Sequence, residues 1–231
     1  MKSGSVVQDP CDQLVAAADL AERLGSGELR TTISQNLIFI NVPHEKTKEL
    51  VTELGMIGLH VEGSHFWRGA VACTGTEFCK LAITETKGFA RWLVEEMEDR
   101  LPEFDQPLRL HVTGCPNGCG QHWVADIGIE GKKIKHQGKL VDAYYFCLGG
   151  ALGTHAGIAR PVGYRCLATH VPESIERLLR SYLGTRAKEE DLRAWLSRHS
   201  NEELHERLGG KADEIAERDV PAGPVPHGVG E

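Results

Sequence analysis

The sequence predicts a mixed α+β fold, on three observations. Residues 12–24 place apolar side chains at helical spacing and are followed by a Thr-, Ile- and Phe-rich run at 29–42. Leu108, Leu110 and Val112 alternate with Arg109, His111 and Thr113, the pattern of a half-buried strand. Four of the seven cysteines fall into two tight pairs, each in a glycine-bearing loop where a regular element begins or ends.

Taken in order, residues 1–10 read as a loose leader without the apolar core of a secretory signal. A helix over 12–24 has Leu14, Val15, Ala18, Ala21 and Leu24 on one side and Gly25 and Gly27 as its stop. The run 29–42 reads as one strand. Pro43 then opens a short helix with Leu50, Val51 and Leu54 on one face, closed by Gly55. Residues 70–79 read as irregular, and 79–101 as a helix marked by Ala82, Phe89, Leu93 and Met97. The strand around Leu110 runs into the turn Gly114–Gly120. Further strands are expected at 123–130, 132–136 and 141–148, the last two joined by a Gln137-Gly138 hairpin turn. Helices follow at 172–183, with Ile175, Leu178, Leu179 and Tyr182 on one face, and at 191–198. Ser200 and Glu203 make a capping box for a last short helix ending at Gly209, and the Pro- and Gly-rich tail reads as disordered.

The charge balance, 26 basic against 33 acidic side chains, excludes a nucleic-acid-coating protein, which carries a basic excess. It also offers no general basic surface on which an acidic electron carrier could dock. No stretch approaches the roughly 20 apolar residues that span a bilayer. A cytoplasmic protein is expected, without nucleic-acid or membrane partners.

Cys73 and Cys79 are separated by five residues, and Cys115 and Cys119 by three. The first gap is too wide for a zinc knuckle, and the set matches neither ferredoxin spacing nor a redox C-x-x-C. An iron–sulfur cube is larger than a zinc ion and accepts wider loops. Gly75, Gly114, Gly118 and Gly120 allow the sharp turns and close backbone approach that such loops need, and Pro116 stiffens the second. Cys79, placed at the start of the expected helix, would have free amides and a positive dipole end beside it. Cys11, Cys147 and Cys166 read as small apolar side chains, and His122, just after the second pair, as a structural histidine.

Residues 72–87 (ACTGTEFCKLAITETK) and 111–131 (HVTGCPNGCGQHWVADIGIEG) resemble the paired cysteine motifs of siroheme-dependent nitrite and sulfite reductases. Residues 28–43, 68–73 and 147–153 match that family in order and spacing. The resemblance implies a ferredoxin-like half-domain at 12–62, a reductase-type α/β domain binding a 4Fe-4S cluster and siroheme at 63–184, C-terminal helices at 185–210 and a flexible tail at 211–231. It implies that Cys73, Cys79, Cys115 and Cys119 bind the cluster. Cys119 would also reach the siroheme iron, with Asn117, Thr74, Gln35, Asn36, Gly149 and Gly150 beside the cofactors.

The implied reaction is six-electron reduction of nitrite to ammonia or sulfite to sulfide, with TGTEFC, ITETK and VADIG closer to the nitrite branch. An electron donor such as ferredoxin is implied. Only the second half of the family's two-half architecture is matched, so a complementary half or a homo-oligomer is expected. Most of the anion-gripping cations belong to the other half in the family, and where its matching strand carries an arginine this chain has Ser34. Arg30, Arg68, Lys80 and Arg109 remain as candidates for the haem carboxylates or the anion. A non-catalytic 4Fe-4S electron-transfer subunit and an inactive truncated fragment are the alternatives.

Overall fold

The structure is a computed structural model, and it describes residues 10–153 and 156–209. The loose leader (except residue 10) and the flexible tail lie outside the described residues. The chain divides between Gly63 and Ser64 into two compact units.

The first unit packs α1 (Pro10–Leu24) and α2 (Thr47–Met56), with a hairpin of β1 (Leu29–Thr31) and β2 (Leu37–Phe39). Ala17, Leu20, Ala21 and Leu24 are buried in an i, i+3, i+4, i+7 stripe, while Leu14 and Val15 are exposed. The buried face is thus rotated from the one the sequence suggested. Leu20 and Leu24 pack with Leu50 and Leu54 of α2, whose Val51 faces out. Glycine at +75° makes Gly58, rather than Gly55, the stop after α2.

The expected single strand at 29–42 is two strands. Asn36 N–H donates to Thr32 Oγ1, and Gln35 takes a positive φ of 59°, so the chain reverses inside a run that looked uniformly extended.

In the second unit, described residues form a five-stranded sheet of order β3 (Ala70–Ala72), β4 (Leu110–Thr113), β5 (Ile127–His136), β6 (Lys139–Leu148) and β7 (Arg160–Leu167). The pairs β3–β4 and β4–β5 are parallel; β5–β6 and β6–β7 are antiparallel. Strand alternation gives the sheet one apolar face: Leu110, Val112, Ile127, Ile129, Phe146 and Leu148 pack under α5 (Lys87–Arg100) and α6 (Val171–Thr185). Preceding β3 and following it are two short helices, α3 (His65–Gly69) and α4 (Gly75–Phe78).

The helices α7 (Leu192–Ser197) and α8 (Asn201–Gly209), expected as a separate segment, bury Trp195, Leu204 and Leu208 in the same core as the sheet. Both halves of the predicted capping box are present, Ser200 N–H on Glu203 Oε2 and Glu203 N–H on Ser200 Oγ. Gln137 and Gly138 both take positive φ, as the predicted hairpin turn requires. The strands read at 132–136 and, in part, 123–130 are one, β5, preceded by a 3₁₀ turn at His122–Val124. Strand β7 was not foreseen. Among the described residues no helix is long and apolar enough to cross a membrane.

Candidate functional site

The site grows from two neighbouring parallel strands that end side by side. Cys73 directly follows β3, and Gly114 and Cys115 directly follow β4, with Cys73 N–H bonded to Val112 O at 3.1 Å. Gly114 ties the two cysteine loops together. Its N–H donates to Cys73 Sγ at 3.2 Å, and its carbonyl accepts from the N–H groups of Ile83 and Thr84 at 2.8 and 3.2 Å. The segment after Cys79 is thereby folded back against the start of the second loop.

That fold-back corrects the expected helix at 79–101. Helix α5 begins only at Lys87, and Cys79 is an extended residue after the single turn of α4. Tertiary hydrogen bonding to Gly114 overrides the helical preference of 79–86, and the helix-dipole argument for Cys79 falls with it. Residues 70–79, read as irregular, contain β3 and α4.

In the second loop Gly118 takes a φ of +70° and donates to Cys115 O, and Gln121 N–H returns to Gly118 O. Gly120 lies so close to β4 that a Cβ there would collide with the Val112 carbonyl. Cys115 is buried, Cys73 and Cys79 are half-buried, and Cys119 is exposed. Burial by itself would raise the Cys73 thiol, but hydrogen bonding with Thr86 Oγ1 and from the N–H groups of Gly114 and Gly75 outweighs it and lowers the pKa.

Among the described residues, no three His, Cys, Asp or Glu side chains converge as ligands of one metal ion do. Four thiols nevertheless stand on the two tied loops, none of them in a disulfide. Such soft ligands on widely set loops fit an iron–sulfur cube better than a single zinc ion.

The other predicted residues separate into two groups. Gly149 and Gly150 stand against the chain leaving the second loop, their N–H groups on Asp126 O and Ala125 O. Asn117 and Thr74 are exposed on the second and first loops. Gln35 and Asn36, by contrast, belong to the first unit, on the β1–β2 turn.

Of the candidate cations, Arg30 pairs with Glu28 and Arg68 lies 3.4 Å from His65 Nδ1, while Lys80 is exposed beside Cys79. Arg109 makes a bidentate pair with Asp126, whose side chain is 7% exposed and also accepts Arg109 N–H. Through its Nε and one terminal nitrogen it braces the start of β5. Asp126→Asn is expected to lower stability by about 2 kcal/mol, read as a shift of the urea midpoint.

The polar face of the sheet was missed. His111, Thr113 and Glu130 are buried there, and His122 is fully buried over Gly128. His122 Nε2 lies 3.4 Å from Glu130 Oε2, longer than a good hydrogen bond, and Nδ1 has no partner among the described residues. Desolvation lowers the pKa of both histidines, against the pull of Glu130 on His122. The period-2 run Gly128, Glu130, Lys132 carried this signal, hidden by the division of β5 into two strands.

Residues 63–215 match the family model of the nitrite and sulphite reductase 4Fe-4S domain, and residues 9–57 that of the nitrite/sulfite reductase ferredoxin-like half domain. Ferredoxin sulfite reductase 1 of Mycolicibacterium paratuberculosis is 39% identical over 83% of this chain and 36% of its own length. The assimilatory ferredoxin-dependent nitrite reductase of Haloferax mediterranei is 37% identical over 78% of this chain and 31% of its own. The solved Mycobacterium tuberculosis NirA protein superposes with a TM-score of 0.78 and 34% identity, over 84% of this chain and 36% of that one. The chain thus spans about a third of the length of these relatives.

Proposed function

The chain belongs to the nitrite and sulphite reductase family, and on that premise we propose that it is the cofactor-holding module of such an enzyme. Cys73, Cys79, Cys115 and Cys119 would hold a 4Fe-4S cluster, and the exposed Cys119 would be the thiol that also serves the siroheme. The observation that carries this reading is Gly114, which bonds the Cys73 sulfur and the segment after Cys79 while preceding Cys115. One residue so fixes both cysteine loops to a common strand edge.

When bound, the two groups would supply the electrons and the iron centre for reduction of the anion. The chain's own contribution is to orient the thiols and to hold Gly149 and Gly150 close against the backbone of 123–126, where a Cβ on Gly150 would not fit. Nitrite or sulfite is the substrate class, and both kinds of reductase stand among the relatives. With Arg109 engaged by Asp126, the cations that grip the anion come from a complementary half or a second copy. Ferredoxin, named in both relatives, is the donor proposed. Thiols free of disulfides suit the cytoplasm.

Anaerobic purification, an absorption spectrum and iron and sulfide assays test the proposal. A siroheme band with about four non-haem irons per chain is expected. Iron and sulfide without that band would instead assign an electron-transfer subunit. Protein that stays colourless after reconstitution would overturn both.

A further inference from the structure

The β5–β6 hairpin outgrows its sheet. Strand β4 pairs with β5 only as far as Glu130, and β7 pairs with β6 only from Ala143 onward. Residues 131–142 therefore form a two-stranded arm with no further neighbour in the sheet. Because β3, β4 and β5 are parallel, the arm leaves by the same edge at which Cys73 and Cys115 follow their strands. Six residues from Gly131 to His136 carry it about 20 Å beyond that edge.

Its base is fastened to the first cysteine loop. A Cβ on Gly131 would collide with Thr84, and Tyr144 Oη donates to Glu85 O at 2.8 Å. The arm thus stands beside the segment that follows Cys79.

The arm is also where the chain's charge changes sign. The sequence has net charge −7, yet 131–141 contains Lys132, Lys133, Lys135, His136 and Lys139 and no Asp or Glu. Lys132 and Lys133 are held by Glu130 and Asp142. Lys135 and Lys139 at the tip are exposed and enter no ion pair among the described residues. Such charges do little for stability but strongly affect which partners approach and how fast.

We propose that this arm, which leaves the sheet at the end where the cysteine loops lie, is the docking element for an acidic electron-carrier protein, received by the tip lysines. The inference rests on the reductase reading for its purpose but on the arm's geometry and charge for its site. It also revises the expectation, drawn from net charge, that no basic docking surface exists: the fold gathers one locally.

The probe is a plant-type 2Fe-2S ferredoxin, titrated calorimetrically into the full anaerobically purified chain at low and high salt. Lys135→Glu/Lys139→Glu is the variant, with Lys135→Gln/Lys139→Gln beside it. Binding to the wild type should weaken with salt, and the double reversal should weaken it about tenfold or more at low salt, the neutral pair less. The absorption spectrum and thermal midpoint of both variants should match the wild type.

Unchanged affinity in the reversal variant, with spectrum intact, overturns the docking inference and leaves the reductase reading standing. Arm-dependent binding by a protein that never acquires colour does the reverse. No ferredoxin binding, together with low-salt self-association that the reversal abolishes, would assign the arm to a second copy and overturn the proposal.

Discussion

Cys73→Ser should leave protein purified under argon with less than about one iron per chain, against about four for the wild type. Serine keeps the hydrogen-bonding geometry but offers a harder, shorter and far less acidic ligand than the thiolate that Thr86, Gly114 and Gly75 favour. Loss of one corner removes the cube rather than a quarter of it. Cys166→Ser is the control. Its buried thiol is pushed up to about 12, chiefly by burial, and neighbours Ser174, so its replacement should retain the full iron content. Equal iron in both variants would refute the ligand assignment. At Cys119 serine should also abolish electronic coupling between haem and cluster, seen in the electron paramagnetic resonance of the reduced protein.

Gly128→Ala is expected to cost about 3 kcal/mol, measured by urea unfolding. Gly128 lies in β5 between His111 and Cys147 of the flanking strands. With no side chain there, the 3₁₀ turn at His122–Val124 rests directly on the sheet. A Cβ would come closer to the His122 carbonyl than the 3.0 Å that real Cβ atoms keep. Backbone blocks it, so no side chain can yield.

Two other glycines separate space from conformation. Gly138 has open space around it but a φ of +80°, so its alanine variant should lose about 1 kcal/mol. Gly184 in α6 has neither obstacle, and Gly184→Ala should gain about 0.5 kcal/mol. A Gly128→Ala midpoint equal to wild type would show that the turn lifts off the sheet freely.

What the sequence revealed was mostly local. The Gln137-Gly138 turn and the Ser200–Glu203 capping box involve residues at most three apart, and both formed as read. The cysteine pairs were visible for the same reason, since their spacing is a property of short loops. Their mutual fastening was not visible, because Gly114 bonds to Cys73 across 41 positions.

The same nonlocal bonds misled the reading of 79–86, where Ile83 and Thr84 answer to Gly114 rather than to a helix. At 29–42 composition argued for one strand, but backbone and side-chain hydrogen bonds between Thr32 and Gln35–Asn36 close a turn that makes it two. Strand β7 escaped because Pro161 and Gly163 interrupt its alternation, although Val162, Tyr164 and Cys166 all face the core. For Arg109, residue type suggested a substrate cation. Only the fold brings Asp126 to it from 17 positions away.

The arm at 131–142 has one more consequence, for solubility. Both its outer edges expose unpaired backbone donors and acceptors, the kind of border onto which strands of other molecules add and from which fibres grow. Like copies meeting there would bring lysine against lysine, with Lys135 along one border and Lys139 on the other. The repulsion makes mutual strand addition unfavourable, so these residues act as gatekeepers against aggregation.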